Sequence, residues 1–462
     1  MRHAVPSGVV LLGGATAVPL AVALLGPPGA RPAPVPAAAL SRDDGRAAAG
    51  PRVVEYRGLR VPVPAGWEVH DLDRNPATCV RYDRHAVYLG RPGPQPDCPA
   101  RIVGRTEALH LQPAERGARP RGEGRLSRTV VHTNELATVR IAATVDHETR
   151  LSVPEAGVSI TGVYGTDPAP LQRLLRGTRV TANRPADPPP EPSDSESEQS
   201  DEPELPGLPE LSGTDLQPGE SGAGSSEQSA EAELDRPWAK GKGFDTCTAP
   251  SLAAMKAWRP SFKITNIYIG GAARGCAQPN LTKSWVSQVR AMGYRITPTY
   301  VGLQAPCGSR PQKFTTKNAA AQGAKAAVDA ASRAQNLGIP EGAPIYFDME
   351  AYKAGKGSCK ASVLRFVDNW VSRLKEEGYE PCLYSSVKSA IVDVGKATGI
   401  NKPVAVWFAN WNGRAAIYGD PFMPDDWWSP HRRIKQYRGG HKETHGGVRL
   451  NIDSNVADGR VY

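Results

Sequence analysis

Hydrophobic and polar positions follow two different rhythms along this chain. Between about 52 and 182 the apolar residues come in short alternating runs: VVEYRGLRVPVP, TCVRYDRHAVYLG, ATVRIAATV and GVSITGVYG. Pro, Gly and Asp punctuate them, which predicts β-strands, and DPAPLQRLLRG near the end predicts one short helix. From about 240 onward the rhythm changes. LTKSWVSQVRAMGYRITPTYV reads as an amphipathic helix, a stop glycine and a strand. AAAQGAKAAVDAASRAQNLGIPEGAPIYFD and SVLRFVDNWVSRLKEEGYEPCLYSS repeat the plan, with Gly293, Gly338 and Gly378 at the helix stops, where a left-handed residue is wanted. Helices alternating with short apolar strands imply a parallel sheet. KGFD, NIYIG, ITPTYV, PIYFDME, PCLYSS, AVWFANW, IKQY and LNIDSN give eight candidate strands. The expected class is therefore α/β, with a C-terminal (β/α)8 TIM-like barrel at 240–462 behind a small β-rich domain at 52–182. A doubly wound open sheet fits the same alternation, but no Gly-rich phosphate loop follows any strand.

Composition adds a boundary and a compartment. Residues 187–235 hold fifteen acids and no Lys or Arg, in a setting rich in Pro, Ser and Gly, so 184–236 is expected to be a disordered acidic linker. The net charge of +9 then leaves +24 on the rest of the chain. Such excess favours anionic polymers of a cell envelope. Nucleic acid is not expected, because no basic-aromatic binding motif occurs. The start, MRHAVPSGVVLLGGATAVPLAVALLG, followed by small residues to Ala39, has the layout of a secretory signal peptide spanning 1–39. A secreted or wall-associated monomer follows, with no stable membrane insertion after cleavage. Seven cysteines suit that compartment. None forms a CxxC pair, so no zinc site is expected, and no cofactor motif is found. Cys79 and Cys98 flank a strand and its loop, a plausible disulfide.

The chemistry-bearing residues gather at strand ends. In IYFDMEAY, alternation places Tyr346, Asp348 and Glu350 on one face and Phe347 and Met349 on the other. Asp245, Tyr300, Tyr384, Asn410, Trp411, Gln436, Tyr437 and Asp453 close other strands. In a barrel these ends form one mouth, the face that carries active sites. Taken singly, Asp245 and Asp453 read equally well as turn or capping residues. The Asp348–Glu350 pair is harder to place in a structural core. Paired carboxylates are what glycoside hydrolysis requires, one protonated and one ionised. Glu350, longer and further out, is the candidate general acid, and Asp348 the group that orients and tunes it. Tyr300, Tyr384, Asn410, Trp411 and Gln436 are candidate sugar contacts. Trp407, Trp427 and Trp428 serve equally as packing. His441 and His445 have a metal-ligand spacing, but the surrounding glycines point to a loop or hairpin. Ser385 and Ser386 lack a His–Asp relay.

Taken in order, GFDTCTAPS, IYIGG, PTYVG, IYFDMEAY, LYSS, VWFANW, IKQY and NIDSNVADG resemble the glycoside-hydrolase-like domain of the DUF1906 family, found in secreted actinobacterial proteins. That domain is similar in turn to the family 25 glycoside hydrolases, the lysozyme-like muramidases. The resemblance covers 242–462. It implies that Asp245, Asp348, Glu350 and Asp453 form the acid set, with Glu350 the proton donor and an Asp assisting the substrate N-acetyl group. Asp245 departs from the muramidase pattern in being followed by Thr246 and Cys247. The run TCVRYDRHAVYLG with VGRTEAL resembles a companion domain that often precedes this module. With a barrel implied, neighbouring loops would pair Cys247 with Cys276 and Cys307 with Cys359, leaving Cys382 as a buried thiol. Five cysteines allow fifteen such arrangements. The function implied is cleavage of a β-linked N-acetyl sugar polymer such as peptidoglycan. The alternative is a non-catalytic glycan-binding envelope protein that keeps the acidic mouth.

Overall fold

A computed structural model describes residues 50–94, 98–114, 129–180, 236–355 and 357–462. The expected signal segment 1–39, and the acidic segment up to residue 235, lie outside the described residues.

The front part is β-rich, as its alternation predicts. Strands β1 (Arg52–Tyr56) and β2 (Leu59–Val63) pair antiparallel and are joined by β9 (Arg179–Val180). A second sheet runs in the order β3 (Glu68–Asp71), β4 (Ala86–Leu89), β5 (Ala108–Pro113), β8 (Val158–Val163), β7 (Glu148–Val153), β6 (Thr129–Val130). The helix expected from DPAPLQRLLRG is α1 (Ala169–Gly177), whose Leu171, Leu174 and Leu175 enter the core.

The back part is a closed eight-stranded barrel. Its strands are β10 (Trp238–Asp245), β11 (Ile264–Gly270), β12 (Arg295–Tyr300), β13 (Pro344–Met349), β14 (Glu380–Ser386), β15 (Ala405–Ala409), β16 (Arg433–His445) and β17 (Val448–Arg460). Every candidate strand read from the sequence lies within or overlaps one of these. Helices α2 (Leu252–Trp258), α3 (Lys283–Ala291), α4 (Ala319–Asn336), α5 (Gly357–Glu376) and the short α6 (Val392–Gly395) pack outside. Ser251 and Thr282 cap α2 and α3 by accepting from the Ala254 and Trp285 amides. Gly293, Gly338 and Gly378 all take positive φ at the expected stops. Gly323 sits where α4 crosses α5: a Cβ there would stand 2.3 Å from the Phe366 carbonyl oxygen.

One expectation is corrected. The barrel is not eight parallel βα units. Pairs from β10 through β16 are parallel, but β17 runs antiparallel to both β16 and β10. No helix stands between β15 and β16, and a hairpin closes the barrel instead. His441 and His445 lie on that hairpin, on one face of β16, each bonded to Glu443 at 2.8 and 2.9 Å.

Strand alternation produces two cores. Ile345, Phe347 and Met349 of β13 face outward into the layer shared with the helices. Tyr346 faces inward with Ile264, Cys382, Tyr384, Trp407 and Ile434, filling the barrel floor. Each large side chain so buried contributes about 1.5–3 kcal/mol. The front part joins the barrel along the loop after β11, through antiparallel bridges from Arg81 to Cys276 and from Val103 to Arg274. Beside them, Arg105, Arg150 and Arg274 all pair with the buried Glu148.

Candidate functional site at the barrel mouth

The inward face of β13 carries Asp348 above Tyr346, and Glu350 follows the strand end. The β13–β14 register sets Asp348 beside Tyr384, and the β10–β17 register sets Asp245 opposite Asp453. Three of the four acids are essentially sealed from solvent, at 0% exposure for Asp245 and 1% for Asp348 and Asp453.

Gln436 ties these strands together. Its amide donates to both Asp245 oxygens and to Asp453 Oδ2, each at 3.1 Å. Its carbonyl accepts from the Tyr384 hydroxyl and from Trp411 Nε1, each at 2.9 Å. Asp245 also accepts from Asn455 at 2.6 Å and from the Tyr268 hydroxyl at 3.2 Å. Gln304 fixes the backbone of the acid pair: it donates to the Asp348 carbonyl at 2.7 Å and accepts from the Glu350 amide at 2.6 Å.

Two arginines enter the cluster. Arg310 Nη2 reaches Glu350 Oε2 at 2.5 Å. Arg101, from the front part, places Nη2 at 2.9 and 3.0 Å from the Asp348 oxygens and also pairs with Glu350. Its Nη1 donates to the Tyr384 hydroxyl, and its guanidinium lies 4.2 Å from the Tyr384 ring centre.

The electrostatics follow from this packing. Burial pushes Asp348 up to about 7, against the pull of Arg101 and with the repulsion of Glu350. Burial and the neighbouring Asp245 raise Asp453 to about 8. Asp245 is raised too, burial outweighing its hydrogen bonds and Arg101. Burial would also raise Glu350, but the Arg101 and Arg310 guanidiniums outweigh it and hold Glu350 below the ordinary carboxylate range. Three protonatable acids and one held anion therefore share the mouth.

Most of the expected site residues meet here, and some do not. Asp245, Asp348, Glu350, Asp453, Tyr384 and Gln436 form one hydrogen-bonded cluster. Trp411 joins it at the rim, 61% exposed. Asp453 does not end a strand. It lies in the middle of β17, which reaches the mouth antiparallel. Asn410 is turned to Asp420, 2.7 Å away, and props the loop after β15. Tyr300 is not at the mouth. Its hydroxyl bonds Asp329 of α4 at 2.8 Å and its ring packs against Trp370. Inward positions on β12 belong to Thr297 and Thr299, which bond Asn266, so the alternation of RITPTY itself carries that signal. Gln304, Arg310 and Arg101 were missed. Gln304 and Arg310 lie in a loop, and Arg101 is 247 residues from Asp348.

The three disulfides are Cys79–Cys98, Cys247–Cys276 and Cys307–Cys359, with Cys382 free and buried. The latter two pairs brace loops around the mouth.

An inward-facing acid set at the mouth of a closed barrel defines the kind of site found in sugar-cleaving barrels. Comparison with known proteins gives the family. Residues 256–457, the barrel from α2 into β17, match the Rv2525c-like, glycoside hydrolase-like domain. No curated protein matches the chain in sequence. Among solved structures it is similar to an uncharacterized B. stearothermophilus protein, at 18% identity over 48% of this chain and 99% of that one, TM-score 0.33. It is also similar to the Tat-secreted protein Rv2525c of Mycobacterium tuberculosis, at 17% over 47% and 93%, TM-score 0.33. A third is the spore cortex lytic enzyme SleM of Clostridium perfringens, at 14% over 44% and 62%, TM-score 0.31.

Proposed function

We propose that this chain is a secreted, cell-wall-directed glycoside hydrolase that cleaves a β-linked N-acetyl sugar polymer such as peptidoglycan. The observation that carries this reading is the pairing of Asp348 with Glu350 at the mouth of a glycoside-hydrolase-like barrel, with Asp245 and Asp453 beside them. Glu350 donates the proton to the leaving oxygen. Asp348 steadies the N-acetyl group as it attacks the sugar carbon, and Asp245 and Asp453 shape the charge around them. Trp411 offers a ring to a sugar face, and Tyr384 and Gln436 offer polar contacts. No metal or cofactor enters this scheme.

Three disulfides and the signal-like start support an extracellular setting. No helix among the described residues is long and apolar enough to cross a membrane. The working unit is a monomer with two domains, 52–182 and 240–462, joined by an acidic linker over 184–236. Its excess of positive charge outside that linker suits an anionic wall.

A second reading, a glycan binder without turnover, is favoured by one observation: the Arg101 guanidinium occupies both acids of the pair. The test is digestion of purified peptidoglycan followed by mass spectrometry. Sugar-ended fragments from the wild type, reduced about 100-fold or more in Glu350→Gln, establish the hydrolase. Equal sedimentation of both proteins with the wall, without fragments from either or from Arg101→Ala, favours the binder.

A further inference from the structure

We propose that residues 98–103 of the front part form an inhibitory plug, with Arg101 as its tooth, that closes the acid site of the barrel until it is lifted. The inference rests on the mouth being a glycan site, as proposed above, and adds its regulation.

The plug is built from charge and shape together. Arg101 is drawn into a cluster of four carboxylates, where it takes both oxygens of Asp348, an oxygen of Glu350 and the hydroxyl of Tyr384. These are the groups a sugar would have to reach. With Arg101 seated, the side chain of Asp348 is 1% exposed and that of Glu350 13%. A proton donor also needs its proton, and a guanidinium on the same carboxylate favours the anion. The seated plug therefore blocks access and adds to Arg310 in holding the donor as an anion.

The segment is a short span held at both ends. On one side it is fixed by the Cys79–Cys98 disulfide. On the other, Val103 bridges to Arg274 in the loop after β11. Arg101 lies between these two anchors, outside any strand or helix. Beyond them, Arg105 stays locked to Glu148, to the Arg274 carbonyl and to Gln312. Lifting Arg101 thus requires no separation of the front part from the barrel.

The experiment uses the full mature chain as wild type, as Arg101→Ala and as the double variant Cys79→Ser/Cys98→Ser, which loosens the mounting but leaves the acids untouched. Each is also made with Glu350→Gln. Fragment release from purified peptidoglycan is measured by mass spectrometry, and binding of tetra-N-acetylchitotetraose to the Glu350→Gln forms by calorimetry. Folding is checked by circular dichroism and melting. Arg101→Ala should release fragments at least tenfold faster than wild type, with Glu350→Gln returning the rate to baseline. It should also bind the oligosaccharide at least tenfold more tightly, and the cysteine variant should move both readings the same way by less. Tighter binding without fragments from any variant keeps the plug and removes the hydrolase reading. If folded Arg101→Ala, or the folded cysteine variant where Arg101→Ala does not fold, neither releases more fragments nor binds more tightly, the plug is overturned. A fall below wild type in both readings would show that Arg101 serves the site, and overturns it as well.

Discussion

Two buried clusters of arginine and carboxylate join the front part to the barrel, and their stoichiometry is opposite. At the seam, one carboxylate, Glu148, meets three guanidiniums, from Arg105, Arg150 and Arg274. At the mouth, two guanidiniums, Arg101 and Arg310, face four carboxylates: the Asp348–Glu350 pair with Asp245 and Asp453 close by. Burial opposes ionisation in both places. At the seam the three arginines overcome it, so Glu148 is held well below the ordinary range, while burial lowers Arg274 to about 10. At the mouth two arginines cannot satisfy four acids, and Asp348 and Asp453 rise to about 7 and 8. The seam is a fixed ionic lock. The mouth is short of positive charge, and burial keeps Asp348 and Asp453 protonated toward neutrality.

The comparison breaks most visibly at Glu148. Glu148→Gln should leave three arginines without their shared anion and cost about 3–5 kcal/mol. Urea unfolding of the full chain checks this, and a loss below about 1 kcal/mol would show that the lock is not ionic. A smaller effect sharpens the contrast through pH. Asp348 and Asp453 keep protons that unfolded carboxylates have lost, so they make stability fall as pH rises from about 4 toward 8. Glu148 and Glu350, both lowered, act with the other sign: their contribution is present above about 4 and lost as pH falls below it. Asp453→Asn should therefore stabilise the protein more at pH 8 than at pH 5, the gain growing by about 1 kcal/mol or more across that interval. Melting curves across that range decide it; an unaltered alkaline slope would remove Asp453 from the account. The smallest change is expected at the rim. Trp411→Ala should alter stability by less than about 0.5 kcal/mol, because the ring is mostly exposed. Its effect should fall on oligosaccharide affinity, read by calorimetry, and an unchanged affinity would place the sugar elsewhere.

Much of this arrangement is legible in the sequence, for local reasons. Period-two alternation in IYFDMEAY sorts Asp348 from Phe347 correctly, because a strand buried on both faces still obeys its pleat. Stop glycines mark three helix ends for the same local reason. The glycines around His441 and His445 pointed to a loop or hairpin, but the direction of the last strand was misread because a repeating βα pattern invites one more parallel unit. After β15 no helix follows, and GGHKETHGG alternates as a ribbon exposed to solvent, with a glycine turn between His445 and Val448. Asp453 was therefore expected at the mouth, where it lies, but given the wrong place on its strand. Tyr300 was drawn to the mouth by its position at a strand end, although the threonines two apart on either side of Pro298 already claim the inward face. Arg101 carried no signal of its own. Its meaning comes from acids 247 and 249 residues away, a relation that no window along the chain contains.

The bridges that stitch Arg81 and Val103 to the loop after β11 also bear on how this chain reaches its folded state. Arg105 and Gln312, which exchange two hydrogen bonds across the seam, stand 207 positions apart. Contacts of such long range raise the contact order and slow the search for the native topology. The front part emerges first in synthesis, yet its Glu148 and Arg105 find their barrel partners only when the later residues arrive. Docking of the front part on the barrel should therefore be a late event, completed only after the barrel residues have been made.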